Sequence, residues 1–148
     1  MATWREFQEQ APEQAATVRA RLTAAETHVL ATLRRDGAPR VSGSEVVFHG
    51  PDLFIGSMWG ARKARDLQRD GRFALHAHPA TEEGDVKLSG VAREETAKPL
   101  LDAVLGEMQP SHLFRLDLEQ AVITTVEGDT LVITTWWPGR DVVRFERT

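Results

Sequence analysis

Residues 28–57 hold three short β-type runs, at 28–34, 40–48 and 53–57, with no helical stretch between them. The gaps carry turn chemistry, Asp36-Gly37 in the first and His49-Gly50-Pro51-Asp52 in the second. Such residues supply a positive φ or a preset bend. A parallel strand pair needs a crossover of a dozen or more residues, usually a helix. Three strands without one exclude a doubly wound parallel sheet and read as an antiparallel meander. Further β runs follow at 73–78, 85–93, 112–118, 121–126, 130–136 and 142–145. Helical spacing occurs at 60–71, at 96–108 and at 12–27. In the last of these Pro12 suits a first turn, Val18, Leu22 and Ala25 recur on one side, and Arg19, Arg21 and Glu26 face away. The expected fold is mainly β with peripheral helices (α+β), a small antiparallel barrel. A single domain spans residues 1–148, with a helix at about 12–27 and the barrel at about 28–148. A barrel this small does not enclose a large ligand alone, which favours a site shared between subunits.

Composition narrows the partners. Hydrophobic residues make up 41% of the 148 positions and charged ones 27%, enough apolar surface for one packed core. A formal net charge of −4 argues against a general nucleic-acid binder. Cysteine is absent, which removes disulfide scaffolds, thiol catalysis, iron–sulfur clusters and the usual structural zinc site. No apolar run approaches the roughly 20 residues of a membrane span, and residues 1–6 lack the apolar core of a signal peptide. A cytoplasmic protein with neither membrane nor nucleic acid as partner is expected.

The sharpest local feature lies at 62–72. Arg62, Lys63, Arg65, Arg69 and Arg72 stand there against Asp66 and Asp70, a cationic island in an acidic chain. Arg62 and Lys63 fall at the start of a helix, just beyond a strand that ends in Gly56-Ser57. Free amides at a helix start attract anions, and Lys and Arg add charge-assisted hydrogen bonds. The same residues also fit a solvated helix face with Asp–Arg pairs three or four apart.

Residues 56–75, Gly56-Ser57-Met58-Trp59-Gly60-Ala61-Arg62-Lys63-Ala64-Arg65-Asp66-Leu67 and onward through Phe73-Ala74-Leu75, resemble the strand–turn–helix–strand signature of the pyridoxamine 5′-phosphate oxidase-like split-barrel flavoproteins. Residues 31–42 are similar to that family's opening hairpin, and Trp136-Trp137-Pro138-Gly139-Arg140 with Arg144 to its C-terminal Trp/Gly/Arg stretch. The resemblance implies an antiparallel split β-barrel and a homodimer with flavin in a groove between subunits. It places the FMN phosphate on Arg62 and Lys63. Gly56 and Ser57 would sit beside the phosphate, Arg40, Val41 and Ser42 along the isoalloxazine, and Trp137 and Arg144 would approach from the partner subunit. Hydride transfer to or from a small organic substrate is the implied activity. Relatives that use an 8-hydroxy-5-deazaflavin coenzyme carry a Lys-x-Arg-x-Leu pattern, matched by Lys63-Ala64-Arg65-Asp66-Leu67. A non-catalytic flavin, haem or tetrapyrrole binder is a further alternative. Where the oxidase proper has Arg-x-His, this chain reads Arg144-Phe145-Glu146, and a carboxylate there repels a phosphorylated substrate.

Other features carry less. His76 and His78 alternate on one run and would share a face, yet no Cys joins them, so no metal site is expected. Glu82, Glu83 and Asp85 read as a solvated turn. No Gly-x-Ser-x-Gly elbow surrounds Ser42, Ser44 or Ser57, and no phosphate-binding Gly-x-x-x-x-Gly-Lys loop is present. Trp136 and Trp137 fit either core packing or a flavin or interface role.

Overall fold

The computed structural model describes residues 1–80, 82 and 84–148. Its helices are α1 (Trp4–Gln10), α2 (Pro12–Thr23), α3 (Arg62–Arg69) and α4 (Lys98–Val104), the last followed by a 3-10 turn at Gly106–Met108. The strands are β1 (His28–Leu33), β2 (Pro39–Ser44), β3 (Val46–His49), β4 (Asp52–Met58), β5 (Arg72–His76), β6 (Asp85–Glu95), β7 (Ser111–Glu127), β8 (Thr130–Trp136) and β9 (Val143–Arg147). They form one antiparallel sheet in the order β2-β1-β5-β6-β7-β4-β3, with β8 and β9 added beyond the second half of β7.

β2 and β3 are separated in the chain by Glu45 alone, yet they lie at opposite ends of that path. The sheet therefore curls until its ends meet without hydrogen-bonding to each other, which makes it a split barrel. This corrects the expected meander. The run at 40–48 is two strands in two different hairpins, β1–β2 and β3–β4. The two expected strands at 112–118 and 121–126 are one continuous β7. Its first part pairs with β4 and its last part with β8, while β6 runs along the middle. At the junction Glu119 is an extra residue, because Ser89 faces Gln120 and Gly90 faces Leu118. A Cβ on Gly90 would lie 1.9 Å from the Asp117 carbonyl oxygen, so the bulge requires glycine.

The core follows from the pleat. Leu30, Leu75, Leu88, Ala121 and Trp136 face one another across five strands, and all are buried. α1 closes one end of this core and was not expected from the sequence. Thr3 and Glu6 form a reciprocal capping box, and Trp4 and Phe7 turn inward. Phe7 lies 4.4 Å from the Trp136 ring and Trp4 4.8 Å from Phe48, centroid to centroid. α2 ends at Thr23, short of the expected 27, and the His28 imidazole takes up the Leu22 carbonyl at 2.8 Å. Arg21, expected to face away, is buried and donates to the carbonyls of Gly84 and His78. α4 covers a smaller cluster of Phe54, Leu105 and Leu113. No described helix is long and apolar enough to cross a membrane.

Candidate functional site

β4 leads into α3 through a tight turn. The Ala61 amide donates to the Met58 carbonyl at 3.1 Å, and Gly60 has φ +77°, a conformation that strains any side chain. The first helical bond runs from the Arg65 amide to the Ala61 carbonyl, and no side chain caps the helix. The amides of Arg62, Lys63 and Ala64 therefore have no acceptor within the helix. No acidic residue occupies the first turn. Cations there oppose the helix dipole, at about 0.3–1 kcal/mol each near a surface. A bound anion would reverse the sign of that contribution.

Two clefts meet at this helix tip, and Lys63 lines both. The first, about 480 Å³, lies between the β1–β2 hairpin and α3 and is lined by Arg34, Arg40, Val41, Ser42, Arg62 and Lys63 among others. The second, about 430 Å³, is walled by Gly43, Ser44, Val47, Gly56, Ser57 and Met58, with Leu105 and Met108 of the α4 region. Six expected residues, Arg40, Val41, Ser42, Gly56, Ser57 and Arg62, thus line one or other of two clefts that share a seventh, Lys63.

The cations differ in how they are held. Lys63 Nζ donates to the Gly43 carbonyl at 2.9 Å and to Ser44 Oγ at 3.3 Å, leaving a third N–H. Burial pushes its pKa below the usual lysine value, opposed in part by the Glu45 carboxylate. Arg40 Nε donates to Asp66 Oδ2 at 2.7 Å, the oxygen that also accepts the Thr32 hydroxyl at 2.8 Å. Arg69 reaches the other oxygen at 3.2 Å. Burial by itself would raise the Asp66 pKa, but these hydrogen bonds outweigh it and hold the carboxyl below its ordinary value. Asp66 thereby fixes Arg40 at the wall of the first cleft. The guanidinium groups of Arg34 and Arg62 are on exposed residues and make no hydrogen bond or ion pair among the described residues. Fixed cations, free amides and an adjoining apolar slot suit a flat ring with an anionic tail.

Trp137 and Arg144 line neither cleft of the protomer. Trp137 lies past the end of β8 with the Arg140 guanidinium 6.0 Å from its ring, and Arg144 on β9 pairs with Glu127 and Glu146. Trp136 fills the core. His76 and His78 are not on one strand: β5 ends at His76, and the His78 amide donates to His28 Nδ1 at 2.9 Å. Among the described residues no cluster of three His, Asp or Glu could hold a metal ion. Of the acidic turn, Glu82 is exposed and Glu83 lies outside the described residues, as does Thr81. Four contributors escaped sequence reasoning: Arg34, placed by its hairpin; Asp66, legible only as a helix-face charge; and His112 and Glu94, distant in the chain.

The chain is thus a split antiparallel sheet with a cationic helix tip between two clefts. The family model described as pyridoxamine 5′-phosphate oxidase matches residues 15–128, and the chain belongs to that family. Among solved structures it is similar to PhzG from Burkholderia lata 383, in complex with tetrahydrophenazine-1-carboxylic acid, at 13% identity and a TM-score of 0.67 over 96% of each chain. It is also similar to HutZ, the haem storage protein from Vibrio cholerae, at 20% identity and a TM-score of 0.58 over 89% of this chain and 96% of that one. A haem-binding protein from Mycobacterium smegmatis aligns at 19% identity and a TM-score of 0.65, over 86% of this chain and 59% of that one. These likenesses establish the fold. No curated protein matches the chain.

Proposed function

We propose that two copies of this chain form a flavin-binding oxidoreductase, with FMN in the joined clefts and its phosphate on Arg62 and Lys63. The observation that carries this reading is the α3 tip, where uncapped amides, two adjacent cations and the further cations Arg34 and Arg40 face one groove. A phosphate monoester would take hydrogen bonds worth about 1.5–3 kcal/mol each from such charged donors. Gly56 and Ser57 flank the ribityl chain or phosphate, and Arg40, Val41 and Ser42 lie along the ring. Val47, Leu105 and Met108 exclude water from the second cleft. Bound FMN would supply hydride transfer to or from a small organic substrate. The chain's residues bind, orient and desolvate, and no side chain serves as an obligatory acid or base.

The outer face of the sheet supports the homodimer. Val41, Ala31 and Ala74 lie in one cross-strand row that continues into Ser89 and Gln120, and Val29, His76, Lys87, Val122, Thr135 and Val143 lie in the next. Val29, Val41, Val143 and Phe145 are exposed, and exposed apolar residues rimmed by polar ones mark an interaction surface. Trp137 and Arg144 would complete the partner's cleft. Two observations rank FMN above its rivals. Arg65, which the deazaflavin pattern requires, bonds to Gln68 on the exposed side of α3. For haem, buried His28 and His112 have both ring nitrogens engaged, and the more accessible His49, His76 and His78 line neither cleft. The test is the absorption spectrum and mass of the small molecule that purifies with the protein, with FMN titrated into the apo-protein. A flavin spectrum and one FMN per protomer are expected. A haem Soret band, a deazaflavin mass, or no FMN uptake would overturn the proposal.

A further inference from the structure

We propose that His112, with its tautomer set by Glu94, is a positioning residue for the anion site; this rests on the reading that the α3 tip receives the phosphate. His112 sits opposite Ser57 near the start of β7 and is 2% exposed. Its Nε2 accepts the Gly60 amide at 3.1 Å. A nitrogen that receives a backbone N–H must present a lone pair, so the ring proton resides on Nδ1. Nδ1 donates to Glu94 Oε2 at 2.6 Å. Trp59 lies flat over the imidazole, with ring centroids 4.3 Å apart and an interplanar angle of 5°.

The other Glu94 oxygen accepts from Gln68 Nε2 at 2.7 Å. One carboxylate on β6 therefore holds α3 at two points, through His112 at the turn before it and through Gln68 on its flank. That turn aims the free amides of Arg62, Lys63 and Ala64 and sets where both cations begin. A carboxylate accepts at both oxygens, whereas an amide offers only one acceptor, so the relay needs an acid at position 94. Nothing in the flavin chemistry uses His112 or Glu94 directly. They act through the turn, as an outer shell steers a metal ligand.

The probes are FMN and riboflavin, which differ only in the phosphate. Titration into apo-protein should show His112→Leu binding FMN at least about tenfold more weakly, the usual cost of losing an orienting partner, with riboflavin affinity unchanged. His112→Gln, which keeps an acceptor toward Gly60 and a donor toward Glu94, should restore most of the FMN affinity. Glu94→Gln should show the same selective loss, and it serves as the decisive variant if His112→Leu does not fold by circular dichroism. Equal weakening of both ligands, or of neither, would reduce His112 to a structural residue and overturn the proposal. The Arg62→Ala/Lys63→Ala variant separates the two levels. If it leaves FMN affinity unchanged, the phosphate site itself is wrong. If it weakens FMN while His112→Leu and Glu94→Gln do not, only the positioning role fails.

Discussion

α1 and α3 meet the same sheet in opposite ways. α1 contributes an aromatic plug, with Trp4 and Phe7 against Phe48 and Trp136; Thr3 and Glu6 cap its start, and Gln10 at its end accepts from Trp136 Nε1 and the Gly139 amide. α3 has no cap, carries cations where its dipole disfavours them, and is tied down by Asp66 and by Gln68. The first helix spends its residues on burial; the second leaves donors and charges unsatisfied. Burial is concentrated at α1, and unpaired donors and positive charge at the tip of α3.

Substitutions can break that division. Phe7→Ala should have the largest effect, a loss of about 3–5 kcal/mol in urea unfolding, with FMN affinity unchanged in whatever fraction remains folded. Asp66→Asn belongs to both ends. It should cost about 3 kcal/mol, because Arg40 loses its buried partner, and it should weaken FMN as that guanidinium drifts. The sign with pH follows from the depressed Asp66 pKa. Its contribution is present above the unfolded value of about 3.9 and is lost as pH falls through the lower folded value. Unfolding midpoints below about pH 4 should therefore fall more steeply for the native protein than for Asp66→Asn. Thr3→Ala should cost about 1 kcal/mol and leave binding untouched. The smallest signal belongs to Lys63. Its burial lowers its pKa, so FMN affinity should decline with rising pH before an ordinary lysine would titrate, and Lys63→Arg should abolish the decline.

The same contrast explains what was legible in the sequence. α3 and its Arg62-Lys63 tip were readable because charge, glycine and helix start coincide locally. The hairpin turn at Asp36-Gly37 was equally local. α1 was missed although Thr3, Glu6, Trp4, Phe7 and Ala11 carried its capping and spacing signals, because a short helix ahead of Pro12 competes weakly with the longer one behind it. The split between β2 and β3 was not readable, since Glu45 is an ordinary residue and only long-range pairing sends the two strands to opposite sheet ends. Likewise β7 continues through Glu119-Gln120 because Gly90 on β6 absorbs the bulge. Asp66 looked like a helix-face charge, and only the tertiary approach of Thr32 and Arg40 makes it the anchor of the first cleft.

The central claim is that an anionic tail is gripped at the α3 tip, and calorimetric titration of FMN and riboflavin into apo-protein tests it most directly. The native chain should favour FMN over riboflavin by at least about a hundredfold, given two charged contacts of roughly 1.5–3 kcal/mol each. In Arg62→Ala/Lys63→Ala that preference should collapse while the protein still unfolds in a single cooperative transition, its midpoint lowered only by the loss of the Lys63 hydrogen bonds to Gly43 and Ser44. A native protein that binds both flavins equally, or a double variant that keeps the full preference, would contradict the assignment.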